Sequence, residues 1–272
     1  MNKPLIINSG LPRAGTTLLQ NILGQNPLIF PENNSGLMSI IYAGYEGYTN
    51  HPPVIRSLNK DNLDKCLIKY HQAGIQAYLN ELTEKPVIID KDRDWITHYR
   101  VFNKLIPNFK LIYLVRDLRS IFTSFEKQYQ KDLFKNYNWP HTDGRGHTLK
   151  LRYDNYLNFD FISYALDTLE DIFNGKYEEN ICFIRYEDLC FFPKNTMEKI
   201  YNYLDIDYFE HNFNNIEQIT KEFDNNHVFG DHNISGILHP PIQNWEKFLD
   251  KDMLDDIYVQ HEWFYKIFKY KK

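Results

Sequence analysis

Short apolar runs alternate with longer segments of helical periodicity along the chain. Four of these runs predict buried strands, at residues 4–8, 86–90, 110–116 and 180–185. Apolar positions three and four residues apart predict helices over about 18–25, 62–82, 94–106, 117–131, 155–173 and 194–204, and from about 251 onwards. Residues 132–152 and 209–243 have weaker patterns, which predicts surface segments and loops.

The alternation of strands and helices predicts an α/β fold. Strands that are buried on both faces and joined by helices form parallel sheets with right-handed crossovers. We therefore expect a P-loop-NTPase-like three-layer fold, in which helices flank a central parallel sheet. No repeat and no linker rich in Pro, Gly or Ser divides the chain, so we expect one domain over residues 1–272.

Composition and charge narrow the class of partner. The chain has 31 Lys and Arg against 36 Asp and Glu, and this net charge of −5 argues against general binding to nucleic acid or anionic membrane. The apolar runs are too short for a signal peptide or a membrane span. Cys66, Cys182 and Cys190 have no CxxC spacing, so we expect a cytoplasmic protein without disulfides or structural zinc.

The first predicted strand leads into a glycine loop. Gly10 and Gly15 have the spacing of a P-loop, in which backbone N–H groups and a helix N-terminus bind phosphate oxygens. Thr16 replaces the lysine that reaches the β- and γ-phosphates in P-loops, and the first cation lies inside the loop, at Arg13. The loop therefore predicts a site that binds one terminal phosphate next to a guanidinium. It does not predict a site for a nucleoside triphosphate with Mg²⁺.

The loop also carries a family resemblance. Residues 12–18, PRAGTTL, resemble the 5′-phosphosulfate loop of sulfotransferases, particularly the PRSGTTL form of tyrosylprotein sulfotransferases and bacterial or phage relatives. Ala14 departs from the usual serine, which removes one hydroxyl but keeps the backbone N–H. The resemblance implies that 3′-phosphoadenosine 5′-phosphosulfate (PAPS) binds here and leaves as PAP, and that its contacts are Arg13, Ala14, Gly15, Thr16, Thr17 and Leu18.

Two further motifs extend the resemblance over residues 5 to about 204. In the family, an Arg at a strand end and a Ser eight residues later bind the 3′-phosphate of PAPS, and Arg116 and Ser124 have this spacing. Residues 185–189, RYEDL, resemble the segment whose tyrosine contacts the adenine, which implies this role for Tyr186.

The reaction implied by the resemblance is in-line transfer of a sulfuryl group from PAPS to an acceptor hydroxyl or amine. Charge grows on the departing phosphate oxygen, so Arg13 and a second cation stabilise it. Lys91, in the segment DKD, occupies the place of a catalytic lysine in tyrosylprotein sulfotransferases. Glu32 lies in the region where tyrosylprotein and heparan sulfotransferases carry a catalytic glutamate, and Asp92 and His98 are the alternative bases.

The chain departs from the family in the basic loop that normally closes over the 3′-phosphate. Residues 222–246 contain no Lys or Arg, only His227, His232 and His239. The irregular spacing of these histidines disfavours a metal site, and we expect no catalytic metal.

Two other functions remain open at this stage. A P-loop nucleotide or nucleoside kinase is disfavoured by the missing lysine after Gly15, and a non-catalytic nucleotide-binding module would keep the pocket but lack the base. The acceptor and the oligomeric state are not indicated by the sequence. We expect acceptor specificity to reside in residues 31–59 and 132–152.

Overall fold

The computed structural model describes residues 3–33, 35–106, 109–131, 148–158, 161–220, 233–234 and 236–271. Five parallel strands form one sheet with the order β2-β3-β1-β4-β5. The strands are β1 (Leu5–Gly10), β2 (Ile29–Asn33), β3 (Val87–Lys91), β4 (Lys110–Val115) and β5 (Ile181–Arg185). The predicted α/β fold with a central parallel sheet is confirmed.

Helices cover both faces of the sheet. The helices of the first half are α1 (Thr16–Leu23), α2 (Leu37–Thr49), α3 (Pro52–Ile55), α4 (Lys60–Leu82), α5 (Asp94–Thr97), α6 (Tyr99–Leu105) and α7 (Leu118–Lys131). Those of the second half are α8 (Leu149–Asn158), α9 (Phe161–Gly175), α10 (Tyr186–Phe191), α11 (Pro193–Leu204), α12 (Lys251–Gln260) and α13 (Glu262–Phe268). In the described part of the chain, no helix is both long enough and apolar enough to cross a bilayer.

The register of the sheet decides which side chains share a face. Asn8 on β1, Asn33 on β2 and Lys91 on β3 are aligned and point to one face, because side chains alternate along a strand. The Asn8 Nδ2 group donates to the Thr16 carbonyl oxygen at 3.0 Å, so this is the face that α1 covers. Glu32 is aligned with Asp90 and points to the opposite face.

A buried glutamine fixes α1 against three strands. The Nε2 group of Gln20 donates to the carbonyl oxygens of Glu32 at 2.8 Å and Ile89 at 2.7 Å. Its Oε1 accepts a hydrogen bond from Asn8 Nδ2 at 2.8 Å. Buried backbone carbonyls need such partners, so this side chain holds the start of α1 at the carboxyl ends of the strands.

The C-terminal segment braces the start of α7. Arg119 forms a buried ion pair with Asp117, with Nη2 and Oδ2 2.7 Å apart, and it also donates to the Lys271 carbonyl oxygen at 2.6 Å. The Tyr270 hydroxyl donates to Glu187 at 2.8 Å, at the start of α10. The last residues of the described chain therefore tie α7 and α10 together.

Several predicted element boundaries are wrong. The edge strand β2 and the helix α2 lie in a segment for which the sequence analysis predicts no element. The helix predicted over 94–106 is interrupted at His98, and α8 begins inside the predicted surface segment 132–152. Residues 132–147 of that segment lie outside the described residues.

Candidate active site

The loop after β1 turns tightly against β4. The backbone N–H of Leu11 donates to the Leu114 carbonyl oxygen at 2.9 Å, and a Cβ on Gly10 would lie 2.7 Å from the same oxygen. Arg13 (φ 61°) and Gly15 (φ 92°) both have left-handed backbone conformations. Helix α1 then begins at Thr16 without a side-chain cap from Gly15, so the positive end of the helix dipole faces the loop.

The two predicted phosphate motifs meet directly. Arg13 Nε donates to the Ser124 hydroxyl at 3.1 Å, and Arg116 Nη1 donates to the Arg13 carbonyl oxygen at 2.8 Å. The Nε group of Arg116 is buried and has no hydrogen-bond partner in the described part of the molecule. The strand end, the helix α7 and the glycine loop therefore meet in one cationic cluster.

Tyr186 lies against the glycine loop. It is the first residue of α10, and the Arg116 guanidinium lies 4.5 Å from the centre of its ring. A Cβ on Gly15 would be 2.6 Å from the ring atom Cδ2, so the close approach of ring and loop requires glycine. Burial raises the pKa of Tyr186 to about 12, so the phenol is neutral at pH 7.

The predicted catalytic residues Lys91 and Glu32 lie on neighbouring strands but leave the sheet on opposite faces. Lys91 ends β3, is 7% exposed and shares the face of the glycine loop. Glu32 is on β2, and burial raises its pKa above the ordinary 4.5. The structure thus brings Lys91 to the loop side and places Glu32 beside Asp90 across the sheet.

The alternative bases lie just after β3. Asp92 accepts a hydrogen bond from the Asp94 backbone N–H at 3.0 Å, and burial raises its pKa. His98 lies between α5 and α6 and stacks on Tyr42 of α2 with ring centres 3.8 Å apart. Burial lowers the pKa of His98, which favours a neutral ring at pH 7.

Lys127 and Lys247 add two cations near this cluster, and the sequence motifs do not predict them. Lys127 follows Ser124 by three residues on α7, and it donates to Asn244 Oδ1 at 3.1 Å. Its pKa is lowered by partial burial and by the positive charges of Arg116 and Lys247. The helical spacing from Ser124 is the signal that could have identified Lys127, whereas Lys247 follows the segment 222–246 by one residue.

Trp245 anchors the end of the segment 222–246 against α7. Its indole Nε1 donates to the Ser120 hydroxyl at 2.8 Å, and the Arg119 guanidinium lies 4.0 Å from its ring centre. His239 is exposed, whereas His227 and His232 lie outside the described residues. Within the described ranges, no group of three or more His, Cys, Asp or Glu residues could hold a metal ion.

Comparisons with known proteins agree on one family. A family model described as "Sulfotransferase family" matches residues 4–210, which is about three quarters of the chain. No curated protein sequence matches the chain.

Solved structures share the fold at low sequence identity. The sulfotransferase domain of the Synechococcus PCC 7002 olefin synthase is 16% identical, with a TM-score of 0.56 over 100% of this chain and 97% of that chain. The sulfotransferase domain of the curacin biosynthetic pathway is 16% identical, with a TM-score of 0.55 over 96% of this chain and 98% of that chain. A mouse sulfotransferase complexed with PAP is also 16% identical, with a TM-score of 0.52 over 96% and 84% of the two chains. Because the family model covers both the glycine loop and the cationic strand end, the chain belongs to the sulfotransferase family.

Proposed function

We propose that this protein transfers a sulfuryl group from PAPS to an acceptor hydroxyl or amine and releases PAP. The observation that carries the proposal is the direct contact of the two phosphate motifs, Arg13 with Ser124 and Arg116 with the Arg13 carbonyl oxygen. Membership of the sulfotransferase family supports it, and the mouse relative is complexed with PAP. The kinase and the non-catalytic module are not favoured by these findings.

The residues present suit a nucleotide with phosphates at both ends. The uncapped start of α1, with Thr16 and Thr17, and the Arg13 guanidinium would hold the 5′ end. Arg116 and Ser124 would hold the 3′-phosphate. The buried Nε of Arg116, which has no partner among the described residues, is the donor that such an anion would satisfy.

Tyr186 would hold the adenine. Its ring is already stacked under the Arg116 guanidinium and against Gly15, next to the proposed 3′-phosphate site. An aromatic face in this position suits a planar base.

PAPS supplies an activated sulfuryl group whose leaving group is a phosphate. The sulfur–oxygen bond to that phosphate breaks as a bond forms between sulfur and the acceptor oxygen or nitrogen. The cations of Arg13 and Lys91 stabilise negative charge on the departing oxygen, and Glu32 takes the acceptor proton as general base. The raised pKa of Glu32 suits it to hold that proton.

Assignment of the base predicts the pH dependence of the reaction. Glu32 acts as a carboxylate, so kcat/KM should fall as the pH decreases through its pKa, which burial has moved above 4.5. We expect this acidic limb to disappear in Glu32→Gln and to persist in the neighbouring control Asp92→Asn. A limb that persists in Glu32→Gln and is lost in Asp92→Asn would assign the base to Asp92.

A transfer assay tests the function itself. Radiolabelled PAPS is incubated with the protein and a panel comprising a tyrosyl peptide, an oligosaccharide, an aliphatic alcohol and an amine. We expect label in one class of acceptor together with an equal amount of PAP. Phosphoryl transfer from MgATP to a nucleoside would overturn the proposal, as would PAP binding by calorimetry without transfer to any acceptor.

The contact between Gly15 and Tyr186 predicts a local loss of stability on substitution. In Gly15→Ala, the new Cβ meets the tyrosine ring at 2.6 Å on a backbone with φ 92°, so we expect a loss of about 1–3 kcal/mol in urea unfolding. The matched control is Gly47→Ala on α2, where a Cβ meets nothing within 4 Å and alanine favours the helix. Equal losses of stability in both variants would contradict the close approach of Gly15 to the Tyr186 ring.

A further inference from the structure

A buried carboxylate connects three elements on the Glu32 face of the sheet. Asp90 precedes Lys91 at the end of β3 and is 1% exposed. Its Oδ2 accepts a hydrogen bond from the Trp95 indole Nε1 at 2.8 Å, and its Oδ1 accepts a longer one from the Ser35 backbone N–H at 3.4 Å. One carboxylate therefore holds both α5 and the chain that enters α2.

Ser35 is the residue through which this carboxylate positions α2. Its hydroxyl oxygen accepts from the Leu37 backbone N–H at 3.1 Å, in the first turn of α2. Its carbonyl oxygen accepts from the Tyr78 hydroxyl at 2.6 Å. The bond to Asp90 therefore helps to hold the start of α2, which lies within residues 31–59, the segment where we expect acceptor specificity.

The surroundings of Asp90 make its ionisation costly. Glu32 on β2 and Tyr78 on α4 lie on its face of the sheet, and the negative charge of Asp92 after β3 opposes that of Asp90. The neighbour on β1 is the apolar Ile7, and Lys91 leaves β3 on the opposite face.

Burial is the main reason that the pKa of Asp90 rises from 3.8 to about 6. A carboxyl group whose pKa is higher in the folded than in the unfolded chain opposes folding progressively as the pH rises from about 4 to about 6. A buried carboxyl group that destabilises the fold, as Asp90 does, is expected at positions that serve function. The neutral amide of Asp90→Asn removes this penalty, so that variant is expected to fold.

Protonation of Asp90 changes the hydrogen bonds that its carboxyl group can accept. As a carboxylate, Asp90 accepts from the Trp95 indole and the Ser35 backbone N–H, whereas the protonated acid gives up one acceptor site to carry its own O–H. The longer bond, to Ser35, is the one we expect to be lost.

We propose that Asp90 is a positioning residue, whose carboxylate holds the start of α2 and the Trp95 ring against the strand that carries Lys91. The role of Asp90 in acceptor binding rests on the proposed sulfuryl transfer. Its role in holding α2 and α5 does not depend on that function. The ionised side chain holds both elements, whereas the protonated acid keeps α5 and releases the Ser35 N–H.

NMR of the full-length ¹⁵N-labelled protein tests the proposal without an acceptor. The Trp95 indole resonance, assigned by its loss in Trp95→Phe, and the Ser35 amide resonance are followed between pH 4.5 and 8. We expect both resonances to shift with one shared midpoint near pH 6. Both should be independent of pH in Asp90→Asn.

The control is Asp92→Asn, which keeps Asp90 but removes the neighbouring negative charge. Both resonances should still titrate in this control, with a lower midpoint. Resonances that do not titrate in the wild type, or a titration that survives in Asp90→Asn, would overturn the proposal.

Calorimetry with PAP separates this inference from the proposed function. The nucleotide residues belong to the glycine loop, α7 and α10, so the dissociation constant for PAP should change less than about twofold in Asp90→Asn. A large loss of PAP affinity in that variant would overturn the assignment to the acceptor side. Failure of the wild type to bind PAP would overturn the proposed function and leave the NMR result standing.

Discussion

Replacing Arg13 by alanine is expected to lower kcat by roughly 100- to 1,000-fold, the effect of removing one donor from a developing oxyanion. The guanidinium is held by the Ser124 hydroxyl at 3.1 Å, beside the uncapped start of α1, where the departing phosphate oxygen would lie. The Arg13 carbonyl oxygen still accepts from Arg116 in the variant, because that bond uses the backbone. The measurement is single-turnover transfer from radiolabelled PAPS.

Two variants separate the charge of Arg13 from its orientation. Arg13→Lys keeps the charge but loses the planar donor that bonds Ser124, so we expect an intermediate loss. Ser124→Ala keeps the guanidinium but removes its hydrogen-bond acceptor and one proposed contact to the 3′-phosphate, so we expect kcat to fall by roughly tenfold or less and KM for PAPS to rise. If Arg13→Ala retains wild-type kcat with a raised KM for PAPS, Arg13 is a binding group alone.

The second large effect is expected on nucleotide affinity. Arg116→Ala should weaken PAP binding by roughly 10- to 150-fold, which corresponds to the ~1.5–3 kcal/mol of a charged hydrogen bond. The substitution removes a half-buried guanidinium that lies 4.5 Å from the Tyr186 ring centre, and it also removes the donor to the Arg13 carbonyl oxygen. Isothermal calorimetry with PAP measures the change.

Arg100→Ala is the matched control for Arg116→Ala. The Arg100 side chain is 71% exposed and forms a surface ion pair with Asp171, so its removal should leave PAP affinity unchanged. Wild-type affinity in Arg116→Ala would refute the 3′-phosphate assignment. A similar loss in both variants would show that net charge alone sets the affinity.

The strands that the sequence predicts well are those that are buried on both faces. β4 has an uninterrupted apolar run, and the three other predicted strands are short apolar runs of the same kind. The sequence pattern does not predict β2, because Pro31 and Glu32 interrupt its apolar run. Such residues are tolerated at this position because β2 is an edge strand of the sheet.

The sequence pattern does not predict helix α2, because Gly44 and Gly47 lower the helix propensity of the segment. The stability of this helix depends on its packing against α4.

The residue spacing within each motif of the candidate site could be predicted from the sequence. The contacts between the motifs could not. The interval from Arg116 to Ser124 and the glycine pattern can be read along the chain, since both are local. The bond between Arg13 and Ser124 spans 111 residues, and the contact of Tyr186 with Gly15 spans more, so both depend on the order of strands in the sheet. The opposite faces of Glu32 and Lys91 likewise follow from the register, which the sequence does not reveal.

The strand order also bears on how new specificities could arise in this family. The residues proposed for the nucleotide follow β1, β4 and β5, whereas β2 and the start of α2 lie at the far edge of the sheet, beyond β3. A single genetic exchange of about residues 29–59 between relatives would replace that edge and leave every proposed nucleotide contact untouched. New acceptor specificities could then arise by recombination of one contiguous segment, while the residues that bind the sulfuryl donor are inherited unchanged.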